Sequence, residues 1–234
     1  MLFRSPDGVV TDVGGVKAAI VHAIDDPRFV GGHPMAGSEL EGVAGADASM
    51  FRGANWVLTP VVGTGDDAFT RVRAVVRSLG AEVVTLAPER HDALVAIVSH
   101  VPHLTAASRV GLAARRSEEH SAVLRLAAGG FRDMARIAAG HPGIWPDICA
   151  ENRTAITEAL DDLIGALGEV RREVAETDGA QLLQRLESAR AARRSLPTGG
   201  PPPSDLLAVR LPVPHRQGAT PPLAAPAARG GDCM

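Results

Sequence analysis

Gly8-Val9-Val10-Thr11-Asp12-Val13-Gly14-Gly15 reads as a short buried strand that runs out into a glycine turn. Working outward, residues 16–24 carry a short helical pattern, and residues 28–32 and 55–61 read as further strands. A helix is expected over residues 66–79 and another strand over 82–86. Strands alternating with helices predict an α/β layer with parallel pairing. A doubly wound domain needs more strands than these, and no Gly-x-Gly-x-x-Gly stands after an N-terminal strand.

From Arg90 onward the pattern turns helical. On an ideal helix counted from Asp92, residues Leu94, Ile97, Val98 and Val101 share one side, while Asp92, Ser99 and His103 share the other. The helix therefore carries an apolar face and a polar stripe, and Pro102 is expected to kink it. Further helices are expected over residues 118–128, 131–139, 144–174 and 180–194. The tail from Pro197 holds 9 of the 17 prolines and few charges, too little apolar surface to offset its ordering entropy. Most of it is expected to be disordered, with residues 206–213 as one lone strand.

The chain has 234 residues, enough for one large domain or two small ones. A net charge of −3 gives no electrostatic reason to expect nucleic acid or an anionic membrane as partner. Of 24 basic residues only Lys17 is a lysine. Cys149 and Cys233 lie far apart with no Cys-x-x-Cys, which favours a reducing compartment. With no apolar leader-like run and no long apolar stretch, the expected location is the cytoplasm.

Three clusters could carry chemistry. In Gly31-Gly32-His33-Pro34-Met35-Ala36-Gly37-Ser38-Glu39, a histidine leaves a strand where α/β sheets place ligands; a turn-capping histidine is the plainer alternative. Arg90-His91-Asp92 with Ser99-His100-Val101-Pro102-His103 puts imidazoles along the polar stripe. These could be satisfied core histidines or, less readily, zinc ligands, because an ideal helix sets His91 and His100 about 180° apart. Gly129-Gly130-Phe131-Arg132-Asp133-Met134-Ala135-Arg136 feeds a helix N-terminus with two arginines a turn apart; it could hold a carboxylate or make a surface ion pair.

Taken together with Asp12-Val13-Gly14-Gly15-Val16-Lys17 and Trp145, these segments resemble the ordered motif set of the prephenate/arogenate dehydrogenase family, over about residues 9–194. The resemblance implies an α/β remnant of a dinucleotide-binding, Rossmann-like domain over residues 1–88, then an all-α dimerisation and substrate domain over 89–196, then the 197–234 tail. It implies oxidative decarboxylation of prephenate or arogenate with NAD or NADP, on the route to tyrosine, by a homodimer that binds no metal. His33 would take the proton of the ring hydroxyl, and Arg136 would anchor a substrate carboxylate. Glu39, His91, Asp92, His103 and Trp145 would line or support the substrate pocket, with Asp12, Val13 and Gly14 beside the cofactor. The family usually has Ser where this chain has Gly15, and its pyrophosphate cradle is expected ahead of Val9. A non-catalytic dimerisation or substrate-binding module is the second reading, and a metal-dependent hydrolase using the histidines is the third. Residues 206–218 resemble the opening of a small regulatory ACT domain.

Overall fold

The computed structural model describes residues 7–38 and 42–196. Glu39, the possible strand at 206–213 and the rest of the proline-rich tail lie outside them. Four strands form one sheet in the order β1 (Val10–Thr11), β2 (Phe29–Pro34), β3 (Asn55–Thr59) and β4 (Glu82–Thr85). The β1–β2 and β3–β4 pairs are parallel, but β2 and β3 run antiparallel, with His33 opposite Val57. All-parallel pairing is thus corrected at the centre of the sheet. The described part of the β2–β3 connection holds two short 3₁₀ turns, Gly42–Gly45 and Ala48–Phe51. Among its described residues there is no crossover helix, and the chain returns beside the strand it has just left. The expected buried first strand is corrected too: β1 is two residues long, and both are exposed.

The core is built between sheet and helix. Val30, Trp56 and Leu58 project to one face and meet Ala68, Phe69, Val72 and Val76 of α2 (Asp66–Ser78). The apolar spacing of α2 follows the helical period, with Asp66 and Asp67 in its first turn and Arg77 in its last, each sign matched to the helix dipole. Gly80, at φ +81°, supplies the left-handed residue just after that helix. On the other face α1 (Ala18–Ala23) lies over Gly31. A Cβ there would meet Thr59 Oγ1 and, at 2.6 Å, Val21 Cγ2, so the glycine permits the close approach.

The helical part departs from the sequence-based expectation in one instructive place. The helix from Pro88 is not continuous α: α3 (Pro88–Val95) passes through a π-helical turn, Ala96–His100, into α4 (Val101–Glu119). Pro102 has no N–H to return to Val98, and the Val101 N–H reaches five residues back to Ala96 O. The widened turn resets the angular count. His91 and His100, expected on opposite sides, are both buried at 0% and 2% exposure. Ile97 and Val98, expected to share a face with Val101, are 60% and 65% exposed while Val101 is buried.

Beyond α4 the helices expected over 131–139 and 180–194 form with ends shifted by one or two residues, whereas those expected over 118–128 and 144–174 are shorter or broken. The observed helices are α5 (Ala122–Arg125), α6 (Gly129–Ile137), α7 (Trp145–Glu151), α8 (Arg153–Ala175) and α9 (Gly179–Arg194). The expected single helix over 144–174 breaks at Asn152, whose amide is committed elsewhere. Helices α8 and α9 are tied by Arg185, which donates from Nε and Nη2 to the buried Glu173 carboxylate.

Candidate functional site

The site begins where β1 ends. Asp12 closes the turn: Oδ1 accepts the Gly32 N–H at 2.9 Å, and Oδ2 accepts the Gly14 N–H at 2.9 Å and the ammonium of Lys17. Lys17, the chain's one lysine, is fully buried. Burial lowers its pKa, opposed by the hydrogen bond and charge of Asp12 and the charge of Asp92. Asp12 therefore spends its carboxylate inside the protein, holding the glycine turn, while Val13 next to it is 62% exposed.

Asp92, in the second turn of α3, braces the same segment. Its Oδ1 accepts the Lys17 N–H and its Oδ2 the Ala18 N–H, both at 2.8 Å, capping the start of α1 from another helix. Asp92 Oδ1 also lies 2.7 Å from His91 Nδ1, and His91 Nε2 lies 2.8 Å from His33 Nδ1. Burial pushes the Asp92 carboxyl up, but the bonds from His91, Ala18 and Lys17 outweigh it and leave it below its ordinary value. His33 is held down to about 4, first by burial, then by the neighbouring His91, Lys17 and His100, with Asp12 opposing. Its Nε2 and Cε1 are the atoms closest to Gly15: a Cβ there would sit 3.9 Å from Nε2, so a serine hydroxyl would come within reach of the ring.

A second group continues from the first. Asn152 Nδ2 donates to Asp92 O at 2.8 Å and lies 3.3 Å from His100 Nδ1. His100 meets Trp145 edge-on, with ring centroids 6.1 Å apart, and His103 stacks flat on the same indole at 3.7 Å and 12°. His103 bonds to the Ile137 backbone and lies against Gly140. Those two residues, with Gly37, Ser38, Ser99 and Arg136, line a cavity of about 410 Å³. Arg136 thus opens onto the loop that leaves His33, from the last turn of α6. At the N-terminus of that helix, where the sequence suggests a carboxylate site, Arg132 donates from Nε to Ala127 O at 3.1 Å.

The structure brings His33, His91 and Asp92 into direct contact, pairs His103 with Trp145, and sets Arg136 beside the His33 loop. Lys17, His100 and Asn152 join them without having been singled out for a role. The Asp12-to-Lys17 spacing and the lone lysine were available signals for the first, whereas Asn152 had none. Among the described residues no three His, Cys, Asp or Glu side chains stand together to hold a metal ion.

Two family models match: the nucleotide-binding domain of prephenate dehydrogenase over residues 4–85 and its dimerization domain over residues 87–188. The cyclohexadienyl dehydrogenase of Zymomonas mobilis is 32% identical over 197 residues, which are 82% of this chain and 67% of that protein. The chain belongs to the prephenate/arogenate dehydrogenase family. A second family member, the prephenate dehydrogenase of Bacillus subtilis, is 36% identical over 194 residues. That match covers 81% of this chain but 52% of the relative, so the chain spans about half of that protein's length. A family structure, the Aquifex aeolicus prephenate dehydrogenase in complex with hydroxyphenyl propionate and NAD+, superposes with a TM-score of 0.77 at 31% identity, over 82% of this chain and 68% of that one.

The buried imidazoles make stability pH-dependent. An unfolded chain protonates its histidines near the ordinary value of 6.5, whereas folded His33 waits until about 4, and His100 and His103 are also lowered, chiefly by burial. Between those values the unfolded state binds more protons, so stability is full above 6.5 and falls toward pH 4. Denaturant midpoints should decline across that window, and less steeply in His33→Gln; equal slopes in the two proteins would contradict this.

Proposed function

We propose that this chain is the substrate-binding part of a dehydrogenase that oxidises prephenate or arogenate with NAD or NADP, losing CO₂ on the route to tyrosine. The carrying observation is a histidine at a strand exit, backed by a buried His91–Asp92 pair, with Arg136 opening onto the loop that follows it. The cofactor, when bound, supplies the acceptor for the hydride that leaves the hydroxyl-bearing ring carbon. Val13, Gly14 and Gly15 suit its nicotinamide end. They follow β1 at the carboxyl side of a parallel pair, and among the described residues no side chain lies between Gly15 and His33.

His33 accepts the hydroxyl proton as the carbonyl forms; loss of CO₂ then makes the ring aromatic. Arg136 holds a carboxylate of the dianion, and the stacked His103 and Trp145 form a rigid wall. His91 is fully buried, so it supports the pocket through His33 rather than touching substrate. Glu39 is assigned to the same pocket on the resemblance alone. The nucleotide-binding part extends to about residue 88 and the helical part to about 196.

Arg136→Ala should raise KM about 10- to 100-fold with kcat little changed, the loss of one charge-assisted contact. Steady-state kinetics would be measured in a polypeptide that joins the chain to the remainder of a relative's nucleotide-binding domain. An unchanged KM would remove Arg136 from the site.

The helical region is proposed to pair with a second copy. Ile97, Val98, Leu112, Ile164, Leu167 and Leu186 are exposed apolar side chains within residues 87–188, which match the dimerization domain model. Sedimentation at micromolar concentration should give a dimer, and a stable folded monomer would count against it. The proposed location is the cytoplasm, with no nucleic acid or membrane partner. Among the described residues no helix is long and apolar enough to cross a membrane.

A further inference from the structure

Three facts about the His33 neighbourhood fix more than its position. Both Asp92 oxygens already accept backbone N–H groups, from Lys17 and Ala18, so the carboxylate is pinned to the start of α1. An ionised carboxylate only accepts hydrogen bonds, so His91 Nδ1, 2.7 Å away, must be the donor. A neutral imidazole has a single N–H, so with that proton on Nδ1 the Nε2 of His91 is bare. The ring nitrogen 2.8 Å from it, His33 Nδ1, must then donate.

We propose that Asp92 and His91 form a positioning relay that keeps the proton of neutral His33 on Nδ1 and its Nε2 as a bare acceptor facing the space over Gly15. Free imidazole favours the opposite tautomer, with the proton on Nε2, and such a ring would present a donor where a base is needed. The relay spans residues 33, 91 and 92, and it works because α3 begins close enough to β2 for a ring-to-ring bond, with centroids 5.0 Å apart and planes at 74°. Lys17, His100 and Asp12 are the other charged or titratable groups around His33. The first two disfavour a second proton on its ring, and Asp12 opposes them. His91 is therefore a positioning residue, acting through His33. Only the identity of what Nε2 accepts, the proton of a substrate hydroxyl, rests on the dehydrogenase reading.

The test is ¹⁵N NMR of the histidine-labelled chain near neutral pH, where protonated and bare ring nitrogens resonate far apart. In the wild-type protein His33 should show the proton on Nδ1. His91→Leu, which removes the acceptor, should reverse the tautomer. His91→Gln should keep it, because the amide N–H can serve Asp92 while its carbonyl accepts from His33 Nδ1. A His33 proton on Nε2 in the wild-type protein overturns the relay, as does an unchanged tautomer in His91→Leu. Should His91→Leu fail to fold, the wild-type and His91→Gln spectra still decide: the proton on Nδ1 in both supports the relay, and on Nε2 in either refutes it. A chain with the expected tautomer that, once joined to the remainder of a nucleotide-binding domain, turns over neither prephenate nor arogenate would refute the dehydrogenase reading and leave the relay standing.

Discussion

Replacing His33 with alanine is expected to lower kcat by roughly 10²- to 10⁴-fold while KM moves only a few-fold. The reason is that proton transfer from the ring hydroxyl is made only in the transition state, so its loss does not weaken ground-state binding. His33 sits at the end of β2, its Nδ1 engaged by His91 and its Nε2 turned toward Gly15. Steady-state kinetics on the joined polypeptide give the answer directly. A merely turn-capping histidine would leave kcat almost unchanged, and that result would remove His33 from the chemistry.

The second large effect is on stability. Asp92→Leu should cost about 3 kcal/mol or more, because three donors lose their acceptor at once: the Lys17 and Ala18 amides and the His91 ring. Asp92 is 5% exposed and His91 is fully buried, so water cannot readily replace the carboxylate. Urea denaturation of the isolated chain would show the loss as a lower midpoint at unchanged slope. Asp92→Asn, which keeps one carbonyl oxygen as acceptor, should lose less. A loss below about 1 kcal/mol for the leucine variant would mean that the network carries little of the fold's stability.

Much of this architecture was legible in the residues. The alternation that places α2 between β3 and β4 is local, and its apolar spacing alone fixes which side chains meet the sheet. The pairing of β2 with β3 was not, since the antiparallel return depends on the connection, whose described residues form short 3₁₀ turns, rather than on either strand. The larger surprise lies at 96–100, where a five-residue π turn altered the angular count on which the facing of His91, Ile97, Val98 and His100 had been reckoned. An ideal period assumes every N–H bonds four residues back, and Pro102 breaks that assumption. His33, His91, His103, Arg136 and Trp145 were visible as motifs. The bonds that hold the neighbourhood together were not, because they join residues far apart in the chain: His33 to His91 across 58 positions, Asp92 to Asn152 across 60 and Asp92 to Lys17 across 75. Asn152 is the extreme case, a polar residue inside an apolar helical pattern whose partners, Asp92 and His100, lie on other elements.

The most direct test of the central claim is turnover itself: the joined polypeptide, supplied with prephenate or arogenate and NAD+ or NADP+, followed for reduced nicotinamide and released CO₂ together. The account predicts equal amounts of both products with one of the two substrates, no burst of either alone, and loss of both in His33→Ala. A folded, cofactor-binding polypeptide that yields neither product from either substrate, or whose turnover survives His33→Ala, would contradict it.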